Sequence, residues 1–173
     1  MERITEKKAI ELLRKYAPTE EDFEAVLAHA KAVQKVALKI CKKVKCDAEL
    51  VKTACLLHDI GRFQSTNPLS HGIVGAKILL EERLPMHAFV AERHLGAGIS
   101  KEDIKEQKLK LPLNDYMPKT TEEKIVAHAD NLVFGTKIVT LKQAVARFNK
   151  ELGKKIGRRV KELGKEIEKL KKK

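Results

Sequence analysis

The sequence predicts an all-α protein, and three observations carry that prediction. Alternation of apolar and polar residues at period two is nearly absent. Apolar residues instead recur at spacings of three and four along almost the whole chain, as one buried face of a helix requires. Most of these stripes are preceded by Ser, Thr or Asp, the residues whose side-chain oxygens satisfy the free N–H groups of a first helical turn. With 43 % hydrophobic residues in 173, the chain has enough apolar surface for a real core.

The elements follow in order. Ile4, Leu12, Leu13 and Tyr16 predict a first helix that stops before Pro18. Thr19 and Asp22 form a start resembling a capping box, and the helix they open can run to about Val44, with Phe23, Val26, Val33, Val36 and Ile40 on one side. Asp47 caps a third helix through Leu57, and Gly61 is placed to end it. RFQSTNPL reads as loop. Ser70 caps a helix through Glu82, Pro85 breaks the chain, and a further helix covers about Met86 to Leu95 before Gly96 and Gly98. Ser100 and Asp103 mark a short helix ahead of the loop LPLNDYMP. Thr120 and Glu123 open a helix through about Phe134. Beyond it, Leu141, Val145, Phe148, Leu152, Ile156, Val160, Leu163, Ile167 and Leu170 keep the period of one long amphipathic helix. The expected organisation is an N-terminal helix over 1–18, a helical body over 19–136 and a basic terminal helix over 137–173.

Charge is unevenly distributed. The chain carries a net charge of +12, yet the segment from Lys137 onward holds 14 Lys and Arg against 4 Asp and Glu, so the rest is nearly balanced. A charge run of this kind is in the first place a solvated helix face. It is also a candidate contact for RNA or another polyanion, although the segment offers no Tyr or Trp for base stacking. No apolar run approaches the roughly 18 residues of a membrane helix, and the charged N-terminus is not a secretion signal. Three cysteines without CxxC spacing argue against a disulfide scaffold or thiolate zinc site and predict a reducing, cytoplasmic setting. Abundant Lys and Glu, with charged residues at 35 %, match thermophilic composition.

The residues that point to chemistry are polar groups on apolar stripes. His29 lies in phase with Val26, Val33, Val36 and Ile40, and Asp130 with Val126 and Val133. His58 and Asp59 end the apolar run ACLLHDIG, His71 opens SHGIVGAKILL, and His94 aligns with Val90 and Ala91. A buried carboxylate must be paired, hydrogen-bonded or metal-bound. Four imidazoles and two carboxylates without thiolates suit Fe, Mn, Co, Ni, Zn or Mg, and exceed what one ion with an open position needs. Such a set can hold two ions. Arg62, directly after the His-Asp turn, is a candidate phosphate clamp, and equally a helix-end residue that satisfies free carbonyls. Arg93 and Lys124 are candidates to line a pocket for anions, although most helical Lys and Arg are simply solvated. Asn131 could bond substrate or a ligand carboxylate. His87 reads as a surface or supporting residue, and His128, about 200° from Asp130 around the helix, as outward-facing or packed.

The ordered pattern His29 … His58-Asp59 … Asp130 resembles the signature of HD-domain metal-dependent phosphohydrolases. LLHDIGR is similar to that family's HDIG variant, with Arg62 where Lys is more usual. His71 and His94 resemble the additional ligands of its dinuclear branch, and PKTTEEKIVAHADNLVFG is similar in particular to small archaeal HDIG proteins without an assigned substrate. The resemblance spans about Thr19 to Phe134 and implies an all-α HD fold. It implies His29, His58, Asp59 and Asp130 around a first metal, His71 and His94 completing a second, and Asp59 bridging. It further implies two divalent ions, iron or manganese favoured, that lower the pKa of water and stabilise a phosphoryl group under attack. The expected function is hydrolysis of a phosphate ester or anhydride, phosphomonoester, phosphodiester or dinucleoside polyphosphate, on a small nucleotide-like substrate. Two alternatives stay open: a di-iron oxygenase-type HD protein, and a non-catalytic RNA-binding module using the basic tail.

Overall fold

The computed structural model describes residues 4–172; residues 1–3 and 173, the outer ends of the two expected terminal segments, lie outside the described residues. The element order is α1 (Glu6–Tyr16), α2 (Glu20–Cys41), α3 (Ala48–Leu57), a single 3-10 turn (Ile60–Phe63), α4 (His71–Glu81), α5 (Pro85–Arg93), α6 (Lys101–Glu106) and α7 (Thr121–Asn131). A two-residue hairpin, β1 (Val133–Phe134) and β2 (Lys137–Ile138), then leads into α8 (Leu141–Glu151) and α9 (Lys154–Leu170). The all-α class read from the sequence is thus the observed one. Among the described residues no helix is long and apolar enough to cross a membrane.

Caps set most of the starts. Thr5, Thr19, Asp47, Ser100, Thr120 and Thr140 each accept a backbone N–H of the first turn of α1, α2, α3, α6, α7 and α8. At α6 and α8 the return bond from Asp103 and Gln143 completes a capping box. Ser70 departs from the expectation: it stands at the N-cap of α4 but makes no capping bond, pairing instead with the Ser65 hydroxyl at 2.8 Å.

The ends of the elements bring the corrections. Helix α2 stops at Cys41, not Val44, because the chain tightens there: the amides of both Lys43 and Val44 bond to the Ile40 carbonyl, and Val44 tucks into the core. Helix α7 stops at Asn131, since Leu132 pairs with Val139 in the hairpin. The single long terminal helix is in fact two. Gly153 takes φ +86°, a left-handed conformation that breaks the helix and turns α9 back along α8. The stripe survives because both helices turn it inward. Ala144, Phe148, Ile156, Val160, Leu163 and Ile167 are buried in one apolar cluster with Val33, Ala37, Val51 and Ile125 of α2, α3 and α7.

Helix α3 is the hub, packed against α1, α2, α5 and α7. A second cluster, with Leu13, Phe23, Leu56, Leu57, Ile60 and Leu79, fills the space toward α1 and α4. Gly61 does not end α3. It lies in the 3-10 turn, where its missing side chain lets α4 sit directly on the His-Asp corner: a Cβ there would stand 1.9 Å from the His71 carbonyl oxygen and 2.4 Å from the Gly75 amide. Gly72 does the same for α5, with a Cβ position 2.5 Å from the Ala91 carbonyl oxygen. These two close approaches stack α3, α4 and α5 so that their histidine-bearing ends meet.

Candidate metal centre

His58 and His94 are the C-cap residues of α3 and α5, and His71 is the first residue of α4. Each ring folds back over the preceding turn. His58 Nδ1 donates to the Cys55 carbonyl (2.7 Å), His71 Nδ1 to that of Pro68 (2.8 Å) and His94 Nδ1 to that of Ala91 (2.7 Å). The fourth ring, His29 in the middle of α2, donates Nδ1 to the Gly135 carbonyl of the hairpin at 2.6 Å. A carbonyl oxygen can only accept, so every Nδ1 carries a proton and every Nε2 is left to face the centre. Outer hydrogen bonds of this type orient and fix the tautomer of metal-binding imidazoles.

The Nε2 atoms converge on two carboxylates. His29 Nε2 is 3.0 Å from Asp130 Oδ1 and 3.6 Å from Asp59 Oδ2, while His58 Nε2 is 3.7 Å from Asp59 Oδ2 and 3.6 Å from Asp130 Oδ1. The other Asp59 oxygen serves the other pair: Oδ1 is 3.0 Å from His71 Nε2 and 3.5 Å from His94 Nε2. The two oxygens of one carboxylate thus divide the cluster into halves. His29, His58 and Asp130 bring ligand atoms within 4.8 Å of one another, and so do His58, Asp59 and His94.

Burial works to raise the pKa of Asp59, but His58 and the facing imidazoles of His71 and His94 outweigh it and hold the carboxyl well below the usual carboxylate range. Asp130 is lowered in the same way against its own burial, by His29 and His58. Burial also disfavours the His29 cation, yet the hydrogen bond to Asp130 and the charges of Asp130 and Asp59 raise its pKa to about 9. Its Nε2 proton is the one that a cation would displace. His58 Nε2 and Asp59 Oδ1 are buried without a hydrogen-bond partner. Orphaned polar atoms of this kind are rare inside proteins, and facing nitrogen and carboxylate donors make them a fit for divalent metal.

The cluster opens on a cavity of about 350 Å³ lined by His29, Asp59, Arg62, His94, Asp130, Arg147 and Phe148, among others. Arg62 donates from Nε to Asp59 Oδ2 at 2.5 Å, with its side chain about half exposed. His58 and His71 lie behind this lining, and the anion-binding candidates Arg93 and Lys124 do not reach it either. Arg93 is held across from α7 by Glu123, both of whose oxygens accept from Nη1 at 3.0 and 3.1 Å. Lys124 is paired with Glu166 of α9 at 2.8 Å. In both cases the partner lies far along the chain, out of reach of local pattern.

Asn131 is buried and donates to the Gly96 carbonyl at 2.8 Å, tying α7 to the loop after His94. His87, two helical turns before His94, is nearly buried and bonds the Thr53 hydroxyl at 2.8 Å, away from the centre. His128 packs inward. Burial raises the Cys41 thiol to about 12 and Cys55 well above its ordinary value, so neither is a ready thiolate. What the sequence does not reveal is Arg147 and Phe148 of α8, and the Gly135 carbonyl. Nothing distinguishes Arg147 from its basic neighbours before the fold is known.

The comparisons agree with this architecture. Residues 26–135 match the family described as HD domain. "Uncharacterized protein MJ0778" of Methanocaldococcus jannaschii is 49 % identical over 140 residues, covering 76 % of this chain and 79 % of that protein. Proteins named tRNA (cytidine(56)-2'-O)-methyltransferase from Picrophilus torridus and Thermoplasma volcanium are 46 % and 41 % identical over 131 and 147 residues. The alignments cover 75 % and 84 % of this chain, but 38 % and 41 % of those proteins, so the chain spans only about two fifths of their length. Among solved structures, the HD domain of L. monocytogenes phosphodiesterase PgpH in complex with cyclic-di-AMP superposes with a TM-score of 0.53. Its identity is 19 %, over 90 % of this chain and 92 % of that one. With its helical body, its His-Asp corner and this match over most of its length, the chain belongs to the HD domain family.

Proposed function

We propose that this protein is a metal-dependent phosphohydrolase that cleaves a phosphate ester or phosphoanhydride of a nucleotide-like substrate. One observation carries the reading: four imidazoles, each with Nδ1 committed to a main-chain carbonyl, aim Nε2 at Asp59 and Asp130 on the wall of an open cavity. Membership of the HD domain family and a fold shared with a phosphodiesterase domain that holds cyclic-di-AMP support it. The cysteines, kept as thiols, fit a cytoplasmic setting.

In this reading His29, His58, Asp59 and Asp130 would hold one divalent ion, and His71 and His94, with Asp59, would hold a second. Iron or manganese suits the donor set best, and Co, Ni, Zn and Mg remain compatible. Bound ions of this kind supply Lewis acidity, which makes water nucleophilic near neutral pH and neutralises phosphoryl charge. The chain's own residues do the rest. Asp59 offers one oxygen to each half of the cluster, Arg62 steadies that carboxylate and presents a fork to phosphate, and the low pKa of Asp130 keeps it an anion throughout the physiological range. Among the described residues that line the cavity there is no Ser or Cys to act as nucleophile, which supports direct attack by water.

The test joins metal analysis to a screen of phosphate monoesters, cyclic and dinucleotide diesters and dinucleoside polyphosphates, with Asp59→Ala as control. Hydrolysis and metal should disappear together in the variant. Hydrolysis that proceeds under argon separates this reading from oxygen chemistry, and full activity without metal would sink it.

A second reading keeps the centre and sets the substrate on RNA. The two longer relatives are named as tRNA methyltransferases, and the C-terminal helices carry the excess of basic charge. It predicts tRNA binding whose affinity falls steeply with salt. Binding that is absent at low salt would remove it.

A further inference from the structure

The cavity beside the cluster holds one cation that the proposed chemistry does not use. Arg147 lies on α8, outside the matched stretch 26–135, yet it lines the same cavity as His29, Asp59, Arg62 and Asp130. Its guanidinium carbon is 4.2 Å from the ring centroid of Phe134 and 4.7 Å from that of Phe148. The two rings stage the planar group and remove much of its freedom before any ligand arrives.

Its hydrogen-bonding capacity is unspent. Nε is buried and has no partner, and the Glu151 carboxylate stands 3.7 Å away, too far for a hydrogen bond. Neighbouring basic residues are engaged differently: Arg62 gives its Nε to Asp59, and Arg159 and Lys155 are paired with Asp103. Phe134 belongs to the hairpin whose next residue, Gly135, orients His29, so the same turn fixes both that imidazole and the stage under Arg147.

A preorganised guanidinium with free donors, facing a cavity already occupied by a phosphoryl-binding centre, asks for a second anion. We propose that Arg147 forms a subsite for a phosphate group other than the one being hydrolysed. The substrate class is then a nucleotide carrying at least two phosphate groups, as anhydride or diester. A simple monophosphate would leave Arg147 unpaired. This inference deepens the hydrolase reading and rests on it for the substrate class, but the anion site itself has its own test.

That test is binding of inorganic pyrophosphate to the metal-free full chain, followed by titration calorimetry, for wild type, Arg147→Gln, Arg147→Lys and Lys150→Gln. Arg147→Gln should weaken binding about 10- to 100-fold, the loss expected for charge-assisted bonds. Arg147→Lys keeps the charge without the planar fork and should fall between. Lys150→Gln removes the same charge from an exposed position of the same helix and should stay within about twofold of wild type. Wild type that does not bind pyrophosphate, or an Arg147→Gln variant, folded by circular dichroism, that binds as well as wild type, overturns the proposal. In the manganese-loaded protein, KM for ADP should rise in Arg147→Gln far more than KM for AMP. If pyrophosphate binding is lost as expected but wild type hydrolyses no phosphate compound, the anion site stands and the hydrolase reading fails.

Discussion

His71 Nε2 and His94 Nε2 stand 3.0 Å apart while the Nδ1 of each ring donates to a main-chain carbonyl. Two bare ring nitrogens at that distance set lone pair against lone pair. Either a proton or a cation must lie between or beside them, and with Asp59 Oδ1 also within 3.5 Å of both, the three atoms are a donor set that could take a divalent ion.

Metal should therefore be a large part of this protein's stability. With free Mn²⁺ at about 100 times its Kd, unfolding should be harder by about 2.7 kcal/mol for one site. Urea denaturation with added Mn²⁺ and with EDTA measures the difference. His71→Gln should lower metal content to one ion per chain, and Asp59→Ala should lower it to none; equal metal content in all three proteins would refute the shared-carboxylate arrangement.

Gly61→Ala should act at a distance from its own size. The added methyl meets the backbone of α4, which cannot step aside as a flexible side chain would. A cost of about 3 kcal/mol is expected, together with reduced metal content because His71 is pushed from Asp59. A melting temperature equal to that of wild type would mean that α4 does not rest on this corner.

Arg93 should behave as a structural residue. Its side chain is 12 % exposed and that of Glu123 only 3 %, so Arg93→Ala strands a buried carboxylate. The expected loss is about 3 kcal/mol of stability, with KM unaltered in the fraction that folds. A raised KM at undiminished stability would return Arg93 to the substrate pocket.

Acid should destabilise the fold in a defined window. Burial lowers His87 and His128 to about 4, whereas in the unfolded chain each titrates near 6.5. Between those values the unfolded state binds protons that the folded state refuses, so stability is full above pH 6.5 and falls as pH drops toward 4. Each residue contributes at most about 3 kcal/mol to that fall. Asp103, whose burial is outweighed by Arg159, the Ser100 amide and Lys155 so that it sits at about 2, extends the same slope to lower pH. Urea midpoints at pH 7 and 4.5 check this; in His87→Gln and His128→Gln the difference between the two should shrink.

The six side chains that converge on the cluster stand out in the sequence because each sits where a helix makes its own geometry visible, in phase with an apolar stripe or at a helix end. Arg147 does not, because it is one of many basic residues on a stripe whose burial is decided by packing among α2, α3 and α7. Arg93 and Lys124 misled for the converse reason: their partners are 30 and 42 residues away. The reversal at Gly153 was hidden because Leu152 and Ile156 are four apart, so the period runs through the break unchanged.

The four oxygens that orient the imidazoles belong to the peptide chain of Cys55, Pro68, Ala91 and Gly135. No exchange of side chain deletes a peptide oxygen. What limits those four positions is the path of the main chain, together with the burial of Cys55 and Ala91 and the left-handed φ of +58° at Gly135, and not the aiming of the rings.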